Sequence, residues 1–222
     1  MPTNHPPSPI DVPPGVYRPQ EDSFFLAGEL EKSGLAPGRT VLDLCAGSGI
    51  LAIEAARLGA KKVVALDISP QAVDCIGRNA ARNHVQVDVR RGSIDEALRV
   101  GPFDIVLCNP PYVPAETLAA TVEDRAWSAG PDGRLVLDPL CRNARSLVAD
   151  GGALLLVQSE FADPDLTTAE MNAQGFACTT VASLRIAFGP VLRRQADLLR
   201  RRGKLQSGVE TEELVVIRAQ RR

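Results

Sequence analysis

The chain has 222 residues, 45% of them hydrophobic, and a formal net charge of −2. That is enough apolar material for one well-buried domain, with no general attraction for polyanions. No apolar run approaches the roughly 18 residues that cross a bilayer, and the proline-rich polar start does not read as a signal peptide.

Residues 1–15, with Pro2, Pro6, Pro7, Pro9, Pro13 and Pro14, read as an extended arm that cannot build a core of its own, and residues 16–222 as a single domain. A helix is predicted from about Glu21 to Lys32. The apolar stretch Thr40-Val41-Leu42-Asp43-Leu44 then runs into Cys45-Ala46-Gly47-Ser48-Gly49, which opens an amphipathic segment from Ile50 to Leu58. A strand, a small-residue turn and a helix form the nucleotide-binding corner of an open α/β sheet. No third glycine follows, so this is not the dinucleotide fingerprint, and a pyrophosphate is not the expected ligand. Asp43 before the turn suits an ammonium group, and the helix N-terminus beyond it favours a carboxylate. S-adenosylmethionine carries both groups.

The next strand, Lys62 to Leu66, ends in Asp67, at a spacing where a carboxylate accepts from both hydroxyls of a ribose; a solvated strand-end aspartate is the plainer alternative. Ile68-Ser69-Pro70 is a stop followed by a helix start, with Ser69 as N-cap, Pro70 as first helical residue and the helix running to about Asn83. The segment Val89-Arg90-Arg91-Gly92-Ser93-Ile94 follows. The apolar run Phe103 to Cys108 then stops at Asn109-Pro110-Pro111-Tyr112. Each proline fixes φ and removes an N–H, so the chain continues neither as strand nor as helix but turns through a stiff, open corner. There the Asn109 side-chain oxygen and the Pro110 carbonyl present two acceptors to one planar NH2 group. On turn propensity alone, a strand-ending turn is the competing reading.

Helices are predicted around Leu135 to Ala149 and Pro164 to Gln174, and strands at Gly152 to Val157, Ala177 to Leu184 and Glu213 to Ala219. No helix clearly separates the last two strands, which favours an antiparallel pair at one edge. The expected fold is therefore a doubly wound, seven-stranded Rossmann-like α/β sheet with an antiparallel edge strand pair. Its ligands sit at the carboxyl ends of the parallel strands, where Asp43, Asp67, Ser93 and Asn109 all fall. From Arg185 to Lys204 the chain is strongly basic but interleaved with Ala187, Val191, Leu192, Ala196, Leu198 and Leu199. It reads either as a surface for RNA or an acidic protein, or as an amphipathic segment with a solvated basic face. The five cysteines at 45, 75, 108, 141 and 178 lack the paired spacing of a metal or disulfide framework, so no metal site is expected and a reducing cytoplasm is the expected location.

The order of these motifs resembles the class I methyltransferases of the HemK/PrmC glutamine methyltransferase family, and more narrowly its short branch, which lacks an N-terminal helical domain. The resemblance rests on Val16-Tyr17-Arg18-Pro19-Gln20-Glu21-Asp22-Ser23, the loop from Asp43 to Gly49, Asn109 to Tyr112, and Ala126-Trp127-Ser128-Ala129-Gly130-Pro131-Asp132-Gly133-Arg134. It implies S-adenosylmethionine as cofactor, held by Tyr17, Glu21, Ser23, Asp43, Cys45, Gly47, Gly49, Asp67, Ile68, Ser93, Ile94 and Asn109. It also implies transfer to an amide nitrogen at Asn109, Pro110, Pro111 and Tyr112, a release factor as protein substrate, and a small zinc-ribbon activator as a possible partner.

Two departures from the family pattern stand out. Cys45 replaces the usual first glycine of the loop, so the backbone is expected to keep a φ that an ordinary side chain tolerates. Ser93 replaces the aspartate expected to contact the adenine amine, leaving a neutral acceptor in place of a charged one. Three functions are weighed: methylation of a protein glutamine amide, methylation of an amino group on a nucleobase or small molecule, and a non-catalytic cofactor-binding module. The weak net charge of −2 disfavours nucleic acid, and a missing target-recognition domain argues against duplex DNA.

Overall fold

A computed structural model describes residues 8–115 and 129–222; the expected Ala126-Trp127-Ser128 block lies outside the described residues. Elements alternate as the sequence predicts: α1 (Glu21–Ser33), β1 (Thr40–Leu44), α2 (Ile50–Arg57), β2 (Lys62–Asp67), α3 (Pro70–Arg82), β3 (Asp88–Arg91), α4 (Ile94–Val100), β4 (Phe103–Cys108), α5 (Leu137–Leu147), β5 (Val148–Ser159), a 3-10 turn (Glu160–Ala162), α6 (Pro164–Ala173), β6 (Phe176–Ala187), α7 (Pro190–Arg201) and β7 (Thr211–Arg221).

The strands form one seven-stranded sheet in the order β3-β2-β1-β4-β5-β7-β6. β1 to β5 pair in parallel, while β7 runs antiparallel between β5 and β6. The inner strands are near-continuous apolar runs because helices cover both faces: α1 packs on α2 and α2 on α3, while α4 packs on α5 and α5 on α6. Side chains such as Leu42, Leu66, Leu107, Leu154 and Leu155 are fully buried, each stabilising the fold by roughly 2–3 kcal/mol.

Local chemistry explains the helix starts. Ser69 accepts from Ala72 N at the head of α3, with Pro70 at the first helical position, and Asp163 accepts from Leu166 N before Pro164 in α6.

Three predicted elements differ. α5 ends two residues earlier than expected, and β5 begins at Val148, because Val148 already pairs with Phe103 across an irregular register. α4 is an additional helix, capped by Ser93 Oγ accepting from Asp95 N. A helix, α7, does lie between β6 and β7, yet these strands pair antiparallel: antiparallel neighbours require only that the connection return to the end it left, and a helix on the surface does so as well as a tight turn. α7 buries Leu192, Ala196, Leu198 and Leu199, so the basic segment is amphipathic, with its apolar face packed.

Residues 8–12 of the arm run along α2 and α3. Ser8 hydrogen-bonds Glu54 and Arg57, Asp11 exchanges backbone bonds with the Asn79 side chain, and Asn83 reaches Pro9 O. Among the described residues no helix is long and apolar enough to cross a membrane.

Candidate active site

The carboxyl ends of β1, β2, β3 and β4 open onto one cavity of about 1110 Å³, larger than the usual roughly 300–1,000 Å³ of a small-ligand pocket. It has room for a nucleoside-sized cofactor and for a side chain of a second molecule. Its wall brings together Tyr17, Glu21, Ser23, Cys45, Gly47, Asp67, Ile68, Ser93, Ile94, Asn109, Pro110, Pro111 and Tyr112.

Two expected residues stand behind that wall. Asp43 is fully buried, with Oδ2 accepting from Ala52 N at 2.9 Å and Oδ1 without a partner. Gly49 (φ +84°) meets a helix rather than a ligand: a Cβ there would lie 3.0 Å from Ile76 Cγ2 and 3.3 Å from Ile76 Cα, so glycine is required for α2 to pack on α3. The expectation for Cys45 is overturned. Its φ is +62°, the left-handed region that costs an L-residue roughly 1–2 kcal/mol, and its thiol, together with burial, pushes the Cys108 thiol up. Cys45→Gly is expected to raise the unfolding free energy by about 0.5–1 kcal/mol, since relief of strain exceeds the extra entropy of an unfolded glycine; urea unfolding checks this, and a loss of stability would show that the thiol contact outweighs the strain.

Asp67 is held firmly at the end of β2. Its Oδ2 accepts from Gly47 N and its Oδ1 from Ser69 N, both at 2.9 Å. Burial raises its carboxyl while these N–H groups pull it down. Each oxygen keeps a second lone pair for the cavity. Ser93 lines the cavity too, but its hydroxyl already accepts from Asp95 N at 3.3 Å as the cap of α4.

Burial pushes the Asp43 carboxyl up to about 8, against the pull of the Ala52 N–H. A folded value above the unfolded one means stability that is full below pH 4 and lost as pH rises toward 8. Asp43→Asn is therefore expected to flatten the fall in unfolding free energy between pH 5 and 8 by on the order of 4 kcal/mol at most. Chemical unfolding of both proteins across that range measures it, and parallel pH curves would be the contrary result.

Asp22, to which the sequence reading gave no role of its own, is the centre of a hydrogen-bond cluster at the Asn109 end of the cavity. It is buried. Its Oδ2 accepts from Tyr17 Oη at 2.8 Å and from Tyr112 Oη at 3.0 Å. Its Oδ1 accepts from Ser23 N at 2.6 Å and Ser23 Oγ at 3.1 Å. Ser23 Oγ in turn accepts from Asn109 Nδ2 at 3.1 Å. Burial and the Asp22 charge push both tyrosine hydroxyls up, so they are neutral donors. The relay from Asp22 through Ser23 fixes the Asn109 amide by its nitrogen and leaves Oδ1 without a hydrogen-bond partner among the described residues. The Asn109 orientation follows from this hydrogen-bond network.

The segment after the Asn109 corner folds back on itself, with Ala115 N donating to Gly130 O and Ala129 N to Val113 O. Gly133 (φ +81°) lies so close that a Cβ would fall 2.5 Å from Tyr112 O. Arg134, 3% exposed, pins the returning chain through Asp138 at 2.6 Å, Glu170 at 3.0 Å, Thr167 at 2.9 Å and the Ala162 and Asp163 carbonyls.

The lining is acidic: Glu21, Asp22, Asp67, Asp95 and Glu212 face a single cation, Arg91, among the described residues. This set fits a ligand carrying positive charge, as S-adenosylmethionine does.

Residues 28–152 match the family of ribosomal protein L11 methyltransferase, PrmA, a segment that contains β1 to β4 and the Asn109 corner but not β6, α7 or β7. Over 187 residues the chain is 32% identical to a provisionally named protein N5-glutamine methyltransferase of Methanocaldococcus jannaschii, covering 81% of this chain and 90% of that protein. It is 36% identical over 168 residues to the release factor glutamine methyltransferase of Deinococcus radiodurans, covering 72% of this chain and 59% of that protein. Among solved structures, a chain of the Mtq2–Trm112 complex of E. cuniculi, responsible for methylation of the eRF1 translation termination factor, superposes with a TM-score of 0.65 at 23% identity, covering 94% of this chain and 99% of that chain.

Proposed function

The chain belongs to the HemK/PrmC-type glutamine N-methyltransferases, class I enzymes dependent on S-adenosylmethionine, and from that premise we propose that it methylates the side-chain amide of a glutamine in a translation release factor. The observation that carries the reading is the bond from Asn109 Nδ2 to Ser23 Oγ at 3.1 Å, which turns Oδ1 toward an incoming NH2 group.

When bound, S-adenosylmethionine supplies an electrophilic methyl group. Asp67 and Ser93 would hold its ribose and adenine, the loop from Cys45 to Gly47 its amino-acid end, and Ile68 and Ile94 the faces of its ring system. Asp43 would act from beneath the loop, through the Ala52 N–H it fixes at 2.9 Å.

An amide nitrogen is a poor nucleophile because its lone pair is delocalised into the carbonyl. Asn109 Oδ1 and the Pro110 carbonyl, accepting one N–H each, turn that nitrogen so that its lone pair leaves the amide plane. Positive charge that develops on nitrogen strengthens both bonds, which is stabilisation specific to the transition state. Pro111 keeps the corner stiff, and Tyr112, locked to Asp22, walls the planar group. The alkylated nitrogen is acidic and loses its proton to water. Rate comes from positioning and electrostatics, without a covalent intermediate.

An exposed edge of the sheet, β3 or β6, is where a small zinc-ribbon activator would be seated; the fold likeness with a chain of the Mtq2–Trm112 complex and the one-sided pairing of both edge strands support this.

The test is incubation with labelled cofactor and purified release factor, ribosomal protein L11, ribosomal RNA and a small-molecule extract in parallel. Label on a glutamine side chain of the release factor, located by peptide mass spectrometry, is the expected result. Label entering L11, RNA or small molecules instead would overturn the assignment.

A further inference from the structure

Glu212, at the start of β7, is a buried carboxyl with no structural duty that accounts for it. It is 6% exposed, its Oε2 has no hydrogen-bond partner, and it forms part of the cavity wall with Tyr17, Asp22, Asn109 and Tyr112. The segment matched to the L11 methyltransferase family ends at residue 152, so Glu212 belongs to the last third of the chain, beyond it. Burial pushes its carboxyl up to about 7; a hydrogen bond from Ser159 opposes this, and the charges of Asp22 and Glu160 add to it. A carboxyl desolvated in a cleft without a paired cation marks a ligand site more often than a structural one.

We propose that Glu212 is a specificity-determining residue of the acceptor site, whose carboxylate charge in the cavity wall, added to that of Asp22, rejects the carboxylate isosteric with the entering amide. This rests on the amide-methyltransferase reading and adds to it the discrimination of glutamine from glutamate. The two side chains have nearly the same shape, so contact area cannot separate them. The difference lies in charge: a neutral amide meets no penalty beside buried carboxylates, whereas a second carboxylate is repelled by them.

The groups that face Glu212 favour this sign. Asp22 comes from α1, Tyr17 from the segment before it, Tyr112 from the corner after β4, and Ser159 and Glu160 from the end of β5. Arg185 on β6 is placed 3.9 Å from both Glu160 and Glu213.

Binding of two synthetic release-factor peptides, differing only in Gln or Glu at the target position, is measured by calorimetry on the adenosylhomocysteine-loaded protein. The preference for the Gln peptide is expected to grow about tenfold or more from pH 6 to pH 8 as Glu212 ionises, like charges a few ångströms apart being worth several kT in a partly desolvated site. In Glu212→Gln the preference loses this pH dependence while the Gln peptide binds within a few-fold of wild type and adenosylhomocysteine within twofold; Asp43→Asn, whose carboxyl otherwise titrates over the same range, keeps the pH dependence. A preference that is flat with pH in the wild-type protein, unchanged in Glu212→Gln, or abolished in Asp43→Asn overturns the proposal. Because binding is read without transfer, absence of methylation in a protein that shows this pH-dependent preference would overturn the function proposed above and not the role of Glu212.

Discussion

Asn109→Ala is expected to lower the rate constant for methyl transfer by about 10²–10³-fold while leaving cofactor affinity within a few-fold. The magnitude is that of losing one preorganised group aimed at developing charge in a dry site. The variant removes one of the two acceptors for the amide N–H groups, and it also frees Ser23 Oγ, which otherwise holds the Asn109 nitrogen at 3.1 Å. The effect should fall on kcat more than on KM, because the lost bond is stronger in the transition state than in the ground state. Single-turnover kinetics with saturating cofactor separates the two. Wild-type turnover in this variant would remove the gripping role and leave the corner as a turn.

Asp22→Ala carries the second large effect, and it acts on both stability and rate. The carboxylate takes both tyrosine hydroxyls and two donors of Ser23. Without it, buried donors lose their acceptor, at about 1–3 kcal/mol for each that finds no substitute. A net destabilisation of about 3 kcal/mol is expected in urea unfolding, with at least a tenfold loss of transfer rate measured well below the unfolding midpoint. The rate loss follows from the relay: Ser23 loses its fixed orientation, and the Asn109 amide is then free to flip. Asp22→Asn should lie between, since one amide oxygen still accepts, whereas the NH2 group faces hydroxyls that are themselves donors. A variant that is destabilised but retains full rate would reduce Asp22 to a packing role.

The sheet and the corner were legible because their signals are local. Apolar runs ending at Asp43, Asp67 and Asn109, a Ser-Pro helix start at Ser69 and Pro70, and two successive prolines each act within a few residues along the chain. α4 had such a signal as well: Ser93-Ile94-Asp95-Glu96 has the spacing of a capping box, and with its acids in the first turn it could have been found. Asp22 and Glu212 could not. Asp22 meets Tyr112 across 90 positions of sequence, and an acid in the first turn of a helix already has a sufficient dipole explanation. Glu212 starts an ordinary strand one in from the edge of the sheet, and only the fold places it in the same cavity wall as Asn109. The left-handed backbone at Cys45 was misjudged for a related reason: a residue type constrains φ only weakly when the surrounding turn, with Ala46 N bonded to Leu66 O, imposes the geometry.

The attachment of the leading segment reaches further than its own contacts. Asn79 takes the Asp11 backbone with both ends of its amide, Oδ1 accepting from Asp11 N and Nδ2 donating to Asp11 O, while the same nitrogen also holds the Ser48 carbonyl at 2.9 Å, inside the turn proposed to cradle the donor molecule. One side chain thus rivets the outermost stretch of polypeptide to the innermost bend of the catalytic crevice. Trimming the first dozen residues, or fusing a bulky tag to them, would be felt as a looser grip on the methyl donor, far from the site of the cut.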